Sequence, residues 1–281
     1  MYFLNILKPK GITSFDVIRQ LRKRLKIKAI GHSGTLDPLA WGVMQVGVGK
    51  ATKLLDYLES DKEYIADIKF GYTTETFDSQ GEKKIIQKPC FSLCDLEKTL
   101  NSFIGKTLQI PPKYSAIKLN GQKLCNIVRK DKNIELEIKA REIEIYSIEL
   151  LDFNGYDEAK IKVLCKKGTY IRSLVNDIGS YLQCGAYLNE LTRTKAGCFR
   201  IEDSQELSCE TFNKINPLDA LNLETFELSD NEFQRIIKGN FIKTNKNCNK
   251  SKILLTKNNK LVSIANLSDN LIKPKKIFIE E

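Results

Sequence analysis

The chain has 281 residues, 42% hydrophobic content and a formal net charge of +10. That is enough apolar material for one large domain, or one large and one small. The positive balance points to an acidic partner, nucleic acid first and an anionic membrane surface second. No run approaches the roughly 18 apolar residues of a membrane span, which excludes a spanning helix.

Met1 to Pro9 lacks a basic segment before an apolar core and a small-residue cleavage site. It does not read as a signal peptide, and a cytosolic protein is expected. Thr13 or Ser14 can cap a helix running to about Lys26, with Ile18, Leu21 and Leu25 as its apolar stripe. Arg19, Arg22, Lys23, Arg24 and Lys26 cover the rest, as a solvated face or a phosphate-contacting one. The glycine-rich segment Gly31 to Gly42 follows, then the mostly apolar run Val43 to Val48. Ala51 to Glu59 reads as a short helix. Glu63 to Phe70 alternates as a half-buried strand, with Tyr64, Ala66, Ile68 and Phe70 on one side.

Thr73 to Gly81 is a polar turn, and Leu93 to Ile104 a helix. Pro111-Pro112 breaks the chain before a short strand, Lys113 to Lys118, and Asn120-Gly121 signals a turn. Lys123 to Lys132 gives a short basic helix. Glu135 to Phe153 reads as two strands or one long bent one, and Lys160 to Cys165 as another. Tyr170 to Leu182 is helical by periodicity, and Cys184 to Arg200 looks extended. Strands outnumber helices without regular βαβ alternation, so the expected class is α+β with a large, mostly antiparallel mixed sheet flanked by helices and loops. After about Pro217 the composition shifts. One helix, Asp230 to Lys238, and short strands near Ile253, Leu261 and Ile277 read as a small β-rich C-terminal module behind a loose linker. Lys243 to Lys252 is nearly all Asn and Lys.

Asp37 is the first candidate for chemistry. Asp-Pro in a glycine-rich loop is ordinary turn chemistry. Here, however, the loop holds Leu36, Leu39, Ala40 and Trp41, so it should be packed. A buried carboxylate then needs a cationic partner from elsewhere in the chain. Lys167-Gly168-Thr169-Tyr170-Ile171-Arg172 offers one: Arg172, at a helix start, would keep Asp37 ionised and oriented. Tyr64 and Tyr114 read either as packing residues or as platforms for an extruded base. His32, five residues before Asp37, lacks the partners for a metal site and fits a packing role better than a catalytic dyad. Eight cysteines are present, none spaced C-x-x-C, with one histidine. That composition argues against metal and for reduced apolar thiols. Gly42, Gly47 and Gly49 do not have P-loop spacing.

Five pieces in order carry a family resemblance over about residues 5 to 220. They are Lys8-Pro9-x-Gly11-x-Thr13-Ser14; Gly31-His32-x-Gly34-x-Leu36-Asp37-Pro38-x-Ala40; Lys62-x-Tyr64; Gln109-x-Pro111-Pro112-x-Tyr114-Ser115-Ala116; and Cys165-x-Lys167-Gly168-Thr169-Tyr170-Ile171-Arg172. Leu191-Thr192-Arg193 closes the set. The chain resembles the bacterial TruB-type tRNA pseudouridine synthases, relatives of dyskerin. The resemblance implies isomerisation of uridine 55 in the TΨC stem-loop of tRNA, without cofactor or metal, by a monomer. It implies Asp37 as nucleophile, by attack on base or ribose or by a glycal route. Tyr64 would stack on the flipped base and move a proton, Arg172 would pair with Asp37, Tyr170 and Leu191 would line the pocket, and His32 would insert into the RNA loop. Residues 1–220 would be the catalytic domain, 119–140 an RNA-gripping insertion and 221–281 a PUA-like module. A non-catalytic tRNA-binding or tRNA-folding protein, or a synthase acting on another RNA, is the alternative. The chain departs from the family at Trp41 (usually Thr), Val43-Met44-Gln45 (Leu-Leu-Pro), Cys125 (Tyr), Lys166 (Ser) and Thr192 (Arg). None of these touches Asp37, Tyr64 or Arg172.

Overall fold

The computed structural model describes residues 1–281 except 116, 120, 132, 133, 135, 245–250 and 279–281, and leaves the side chains of 118, 119, 123 and 129 undescribed. Ala116, Asn120 and most of the Asn/Lys-rich stretch therefore lie outside the described residues. In chain order the first elements are β1 (Tyr2–Lys8), α1 (Ser14–Leu25), β2 (Ile30–Ser33) and β3 (Trp41–Val48). A 3-10 helix (Gly49–Tyr57), β4 (Lys62–Phe70), β5 (Tyr72–Thr73), β6 (Lys84–Ile85), α2 (Leu93–Ser102) and β7 (Gly105–Gln109) follow. Next come β8 (Lys118–Leu119), β9 (Gln122–Lys123), α3 (Leu124–Lys130), β10 (Arg141–Phe153), β11 (Glu158–Cys165), α4 (Ile171–Tyr181) and β12 (Ala186–Ala196). The C-terminal part holds β13 (Phe199–Arg200), β14 (Gln205–Glu206), α5 (Pro217–Ala220), β15 (Glu224–Glu227), α6 (Asp230–Ile237), β16 (Ile242–Lys243), β17 (Lys252–Lys257), β18 (Lys260–Ser268) and β19 (Leu271–Ile277).

A ten-stranded sheet runs in the order β14-β1-β3-β12-β4-β11-β10-β7, with β2 added beside β3 and β13 beside β12. The β1–β14 and β3–β12 pairs are parallel and the other pairs antiparallel, so the sheet is mixed and mostly antiparallel, as expected. β4 sits at its centre because its alternating side chains bury one face completely. Ala66, Ile68 and Phe70 pack there with Val175 and Ile178 of α4.

α1 begins at a capping box. The Thr13 hydroxyl accepts from the Asp16 amide, and the Asp16 carboxylate accepts from the Thr13 amide. Its basic residues take a third course, neither purely solvated nor purely free for phosphate. Arg22 donates to the Ile30 carbonyl at 2.8 Å, and Arg24 donates to the Leu207 and Cys209 carbonyls. Arg19 pairs with Asp16 one turn back.

Two expectations fail at the Pro111-Pro112 break and beyond it. Lys113 to Ser115 form a bend, and the strand there is only Lys118–Leu119, paired with Gln122–Lys123. The tandem prolines and the Arg172 contact with the Tyr114 carbonyl hold this stretch out of any ladder. Further on, Glu135 lies outside the described residues, Leu136 to Ala140 are not strand, and β10 begins at Arg141, where it meets its partner β7. The rest of β10 is one long strand bent by bulges against β11.

A five-stranded sheet, β15-β17-β18-β19-β16, forms the C-terminal module. The expected loose linker is instead packed. Ala220 and Leu221 are buried in a cluster shared by Phe3 and Phe199 of the large sheet, by Leu54 of the 3-10 helix and by Leu254, Ile264 and Phe278 of the module. Apolar residues on both sides make a fixed junction cheaper than a solvated tether. Among the described residues no helix is long and apolar enough to cross a membrane.

Candidate active site

The β2–β3 loop presents Asp37. Ser14, at the first turn of α1, both donates to the Leu36 carbonyl (2.9 Å) and accepts from the Leu36 amide (2.8 Å). The Gly11 amide donates to the Pro38 carbonyl at 2.8 Å, and the Lys8 ammonium donates to the Ala40 carbonyl at 2.6 Å. With Leu36, Leu39 and Ala40 buried, the loop is clamped by backbone contacts from β1 and α1. Asp37 alone of its segment turns its charge into the cleft.

Arg172 meets it there. Its Nε lies 2.9 Å from Asp37 Oδ2, and its Nη1 lies 3.5 Å from Asp78 Oδ2. The remaining guanidinium hydrogens go to the Thr76 and Tyr114 carbonyls, both at 2.9 Å. A buried guanidinium with four oxygen partners is fixed in plane and direction, which aims the carboxylate. Burial pushes the Asp37 carboxyl above its ordinary pKa, and Asp78 adds to that, while Arg172 and Lys8 pull it back. The expected pairing of Arg172 with Asp37 is present, and desolvation acts against it on the carboxyl pKa. Burial likewise pushes Lys8 down to about 8.

The cleft encloses about 260 Å³ and is lined by Gly34, Asp37, Lys62, Tyr64, Ser115, Tyr170, Arg172, Leu191 and Arg193, among others. That is at the small end of ligand cavities, roughly 300–1,000 Å³, and suits one small planar ring rather than an extended ligand. Tyr64, Tyr170, Arg172 and Leu191 thus converge on Asp37. Tyr170 is held as the N-cap of α4 by reciprocal bonds with the Gln109 amide, at 2.8 and 3.1 Å. Burial raises the phenol pKa of both Tyr64 and Tyr170, so both stay protonated near neutrality.

Two candidates lie elsewhere. Tyr114 gives its carbonyl to Arg172, while its side chain lines a neighbouring cavity with Phe77, Pro111 and Val128. His32 is half-buried on β2, opposite Val46 of β3, with a buried Nδ1 that has no hydrogen-bond partner. Burial, and then Arg193, lower its pKa, so it is neutral near pH 7.

The site also contains groups to which the sequence reading gave no role. Asp78 comes from the polar turn after β5 and is pinned by the Thr76 hydroxyl (2.6 Å) and the Gln80 amide (3.1 Å). Lys62 and Arg193 were visible only as parts of Lys62-x-Tyr64 and Leu191-Thr192-Arg193. The antiparallel register of β4 and β12 places Arg193 opposite Tyr64. Trp41 begins β3, opposite Thr192, and lines a separate hollow with Pro9, Ile12, Ile65 and Ile201.

Comparison with known proteins agrees with this geometry. Residues 22–171 match the model of the TruB family pseudouridylate synthase N-terminal domain, and residues 172–222 match the tRNA pseudouridylate synthase B C-terminal domain. A tRNA pseudouridine synthase B from Clostridium novyi is 49% identical over 214 residues, 76% of this chain and 73% of the relative. The one from Fusobacterium nucleatum is 43% identical over 286 residues, 96% of this chain and 97% of the relative. That from Trichormus variabilis is 39% identical over 290 residues, 98% of each. Among solved structures, an H/ACA RNP bound to a substrate RNA containing 2′-deoxyuridine superposes with a TM-score of 0.74 at 21% identity, covering 99% of this chain and 85% of that one. A Cbf5-Nop10-Gar1 complex gives 0.72 at 23% identity, with coverage of 99% and 85%. The fold is that of these pseudouridine synthase relatives, and the chain belongs to the TruB family of pseudouridylate synthases.

Proposed function

We propose that this protein isomerises uridine 55 of the TΨC loop of tRNA to pseudouridine, with Asp37 as the reactive carboxylate. The observation that carries the reading is the 2.9 Å contact between Arg172 and Asp37 in a cleft sized for one small ring. A protein that only binds a polyanion has no reason to keep a desolvated carboxylate in its pocket. Uridine in a stacked loop hides both its glycosidic bond and C5, so the base must flip out to reach Asp37. Tyr64 then stacks on it, Tyr170 and Leu191 border it, and His32, neutral and half-buried on β2, takes up space in the RNA loop. Tyr114 acts through its backbone, by holding Arg172.

Residues 1–220 form the catalytic part, with 119–140 gripping RNA, and 221–281 add a PUA-like module for further RNA contact. The protein works in the cytoplasm as a monomer, on tRNA, without metal or organic cofactor. The net charge of +10 supports an electrostatic RNA footprint.

The test is tritium release from a tRNA transcript carrying 5-tritiated uridine, followed by mapping of the modified position. Release at position 55 with the native chain, and none with Asp37→Asn, is the expected result. No release from the native chain would leave a non-catalytic tRNA-binding protein. Release at another position, or from another RNA, would overturn the substrate assignment.

A further inference from the structure

Lys62 and Arg193 are two buried cations on adjacent strands of the same cleft. Lys62 lies on the face of β4 that carries Tyr64, and Arg193 stands across from Tyr64 on β12. The two approach each other beneath the Asp37 loop. A Cβ built on Gly34 would meet Arg193 Nη1 at 3.4 Å and Lys62 Cε at 3.5 Å. Both side chains are almost fully shielded from water: Lys62 is 5% exposed and Arg193 1%.

Their partners are neutral. Lys62 donates to Gln45 Oε1 at 3.2 Å. Arg193 donates to the carbonyls of Val43 (2.7 Å) and Gly34 (3.1 Å), and its guanidinium faces the Tyr64 phenol. Among the described residues, carboxylates within 4 Å are found for Arg172 in this cleft, and for neither Lys62 nor Arg193. Two desolvated like charges without a counter-ion are costly, and they signal a site where a negative charge arrives or forms.

The cleft holds about one small ring and both cations are shielded from water, so the charge that suits this wall is one that forms on the bound base. Pseudouridylation supplies one by any route. The N1–C1′ bond breaks and its electron pair passes to the pyrimidine, where it spreads over N1 and the two carbonyl oxygens. C5 then bonds to C1′, its proton leaves, and N1 takes up a proton, so charge and atoms balance without an oxidant or reductant.

We propose that Lys62 and Arg193 are an anion-stabilising wall that holds the charge of the departing pyrimidine. The inference rests on the pseudouridylation reading above. Asp37 and Arg172 act at the sugar and base edge on one side, and the Lys62–Arg193 pair takes up the developing charge on the other. Preorganised charge in a dry site is the strongest form of such stabilisation. The groups that act on Lys62 are Arg193 from β12, Asp61 just before β4, Cys165 from β11 and Lys167 from the loop after β11. Burial, then Arg193, push the Lys62 ammonium down to about 7. The working cation is therefore lost from free enzyme as pH rises through neutrality, and an anion in the site reverses that.

The experiment compares single-turnover rates of the native chain, Lys62→Met and Lys62→Arg. Each is given tRNA with uridine, or with 5-fluorouridine, whose pyrimidine anion is intrinsically more stable, and the rate read on both is cleavage of the N1–C1′ bond, because fluorine at C5 blocks the final proton loss. Lys62→Met is expected to slow the uridine reaction on the order of 10²–10³-fold, as loss of one oxyanion-hole donor does, with tRNA affinity nearly unchanged. The loss should shrink with 5-fluorouridine. Native kcat/KM should fall above about pH 7, and Lys62→Arg, whose charge does not titrate, should remove that fall. A rate for Lys62→Met equal to native, an equal loss on both substrates, or a loss confined to tRNA affinity overturns the wall. If Lys62→Met does not fold, a native profile that stays flat from pH 6 to 9 overturns it as well. An inert native chain sinks the pseudouridylation reading itself, which the uridine arm reports separately.

Discussion

The two walls of the cleft treat charge in opposite ways. On one side Arg172 is neutralised by Asp37 and Asp78 and satisfied by two carbonyls. On the other, Lys62 and Arg193 bond amide and carbonyl oxygens, Arg193 also faces the Tyr64 phenol, and among the described residues neither has a carboxylate within 4 Å. The first arrangement has its charge balanced without substrate, and such networks fix geometry. The second is incomplete, and incomplete buried charge is where a ligand or a transition state is stabilised. The same chemical ingredients thus serve as a frame at one wall and as a receptor at the other.

The largest effect should come from breaking the frame at its reactive end. Asp37→Asn keeps shape and removes charge, so release of tritium should fall by about 10⁴-fold or more, as loss of a nucleophile does in other enzymes, while tRNA still binds in a filter assay. In the native chain the acid limb of kcat/KM should lie above the ordinary aspartate value of about 3.9, because burial raises the Asp37 pKa and the ionised form is the reactive one. A limb at or below that value would mean that Arg172 outweighs burial.

Next in size is Arg172→Ala. It leaves Asp78 buried and Asp37 partly buried without their cation; removing one partner of a fully buried pair costs about 3–5 kcal/mol, and the cost here is lower because the Asp37 side chain is 34% exposed. Chemical denaturation should show that loss together with inactivity. Adding Asp78→Asn should recover part of the stability and none of the activity. Full recovery of both would make the pair ordinary packing.

How much of this was readable beforehand depended on sequence distance. The capping box at Thr13, the alternation of β4 and the start of α4 are local, and periodicity and caps report them directly. The Asp37–Arg172 pair spans the fold, yet it was anticipated because an apolar loop around a carboxylate demands a cation. β1 escaped because both its faces are buried, which removes the alternation that marks a strand. Asp78 escaped because a polar turn looks solvated until Arg172 reaches it. Lys62 and Arg193 sat inside recognised motifs, but their shared lack of counter-ions is a property of the β4–β12 register, which no single segment encodes.

A smaller effect tests the receptor wall without touching its charges. Gly42 opens β3 at φ +115°, and a Cβ there would lie 2.2 Å from the Arg193 carbonyl oxygen and 2.8 Å from its amide nitrogen. Gly42→Ala must therefore push β3 and β12 apart where Arg193 is held. A thermal melt should fall by several degrees, since a strained backbone position costs about 1–3 kcal/mol. Activity should fall further than Asp37 geometry alone would explain. Unchanged activity in a folded variant would show that Arg193 tolerates displacement, which is incompatible with a preorganised role.

The last effect is on stability against pH. Lys62 is pushed down to about 7 and Lys8 to about 8, both from 10.5. A lysine whose folded pKa is depressed binds fewer protons folded than unfolded between the two values, so unfolding free energy rises with pH across that span. Cys165 works against the climb: burial lifts its thiol from 9.0 to about 12, which offsets one of the two lysines once the unfolded thiol ionises. Stability should therefore climb from about pH 7 to about pH 9. Denaturant titrations at fixed ionic strength should show that climb, and Lys62→Met should reduce it by the share that belongs to the receptor wall. A native chain whose stability is flat across that window would mean that Lys62 and Lys8 are already compensated, and the contrast between the two walls would disappear with them.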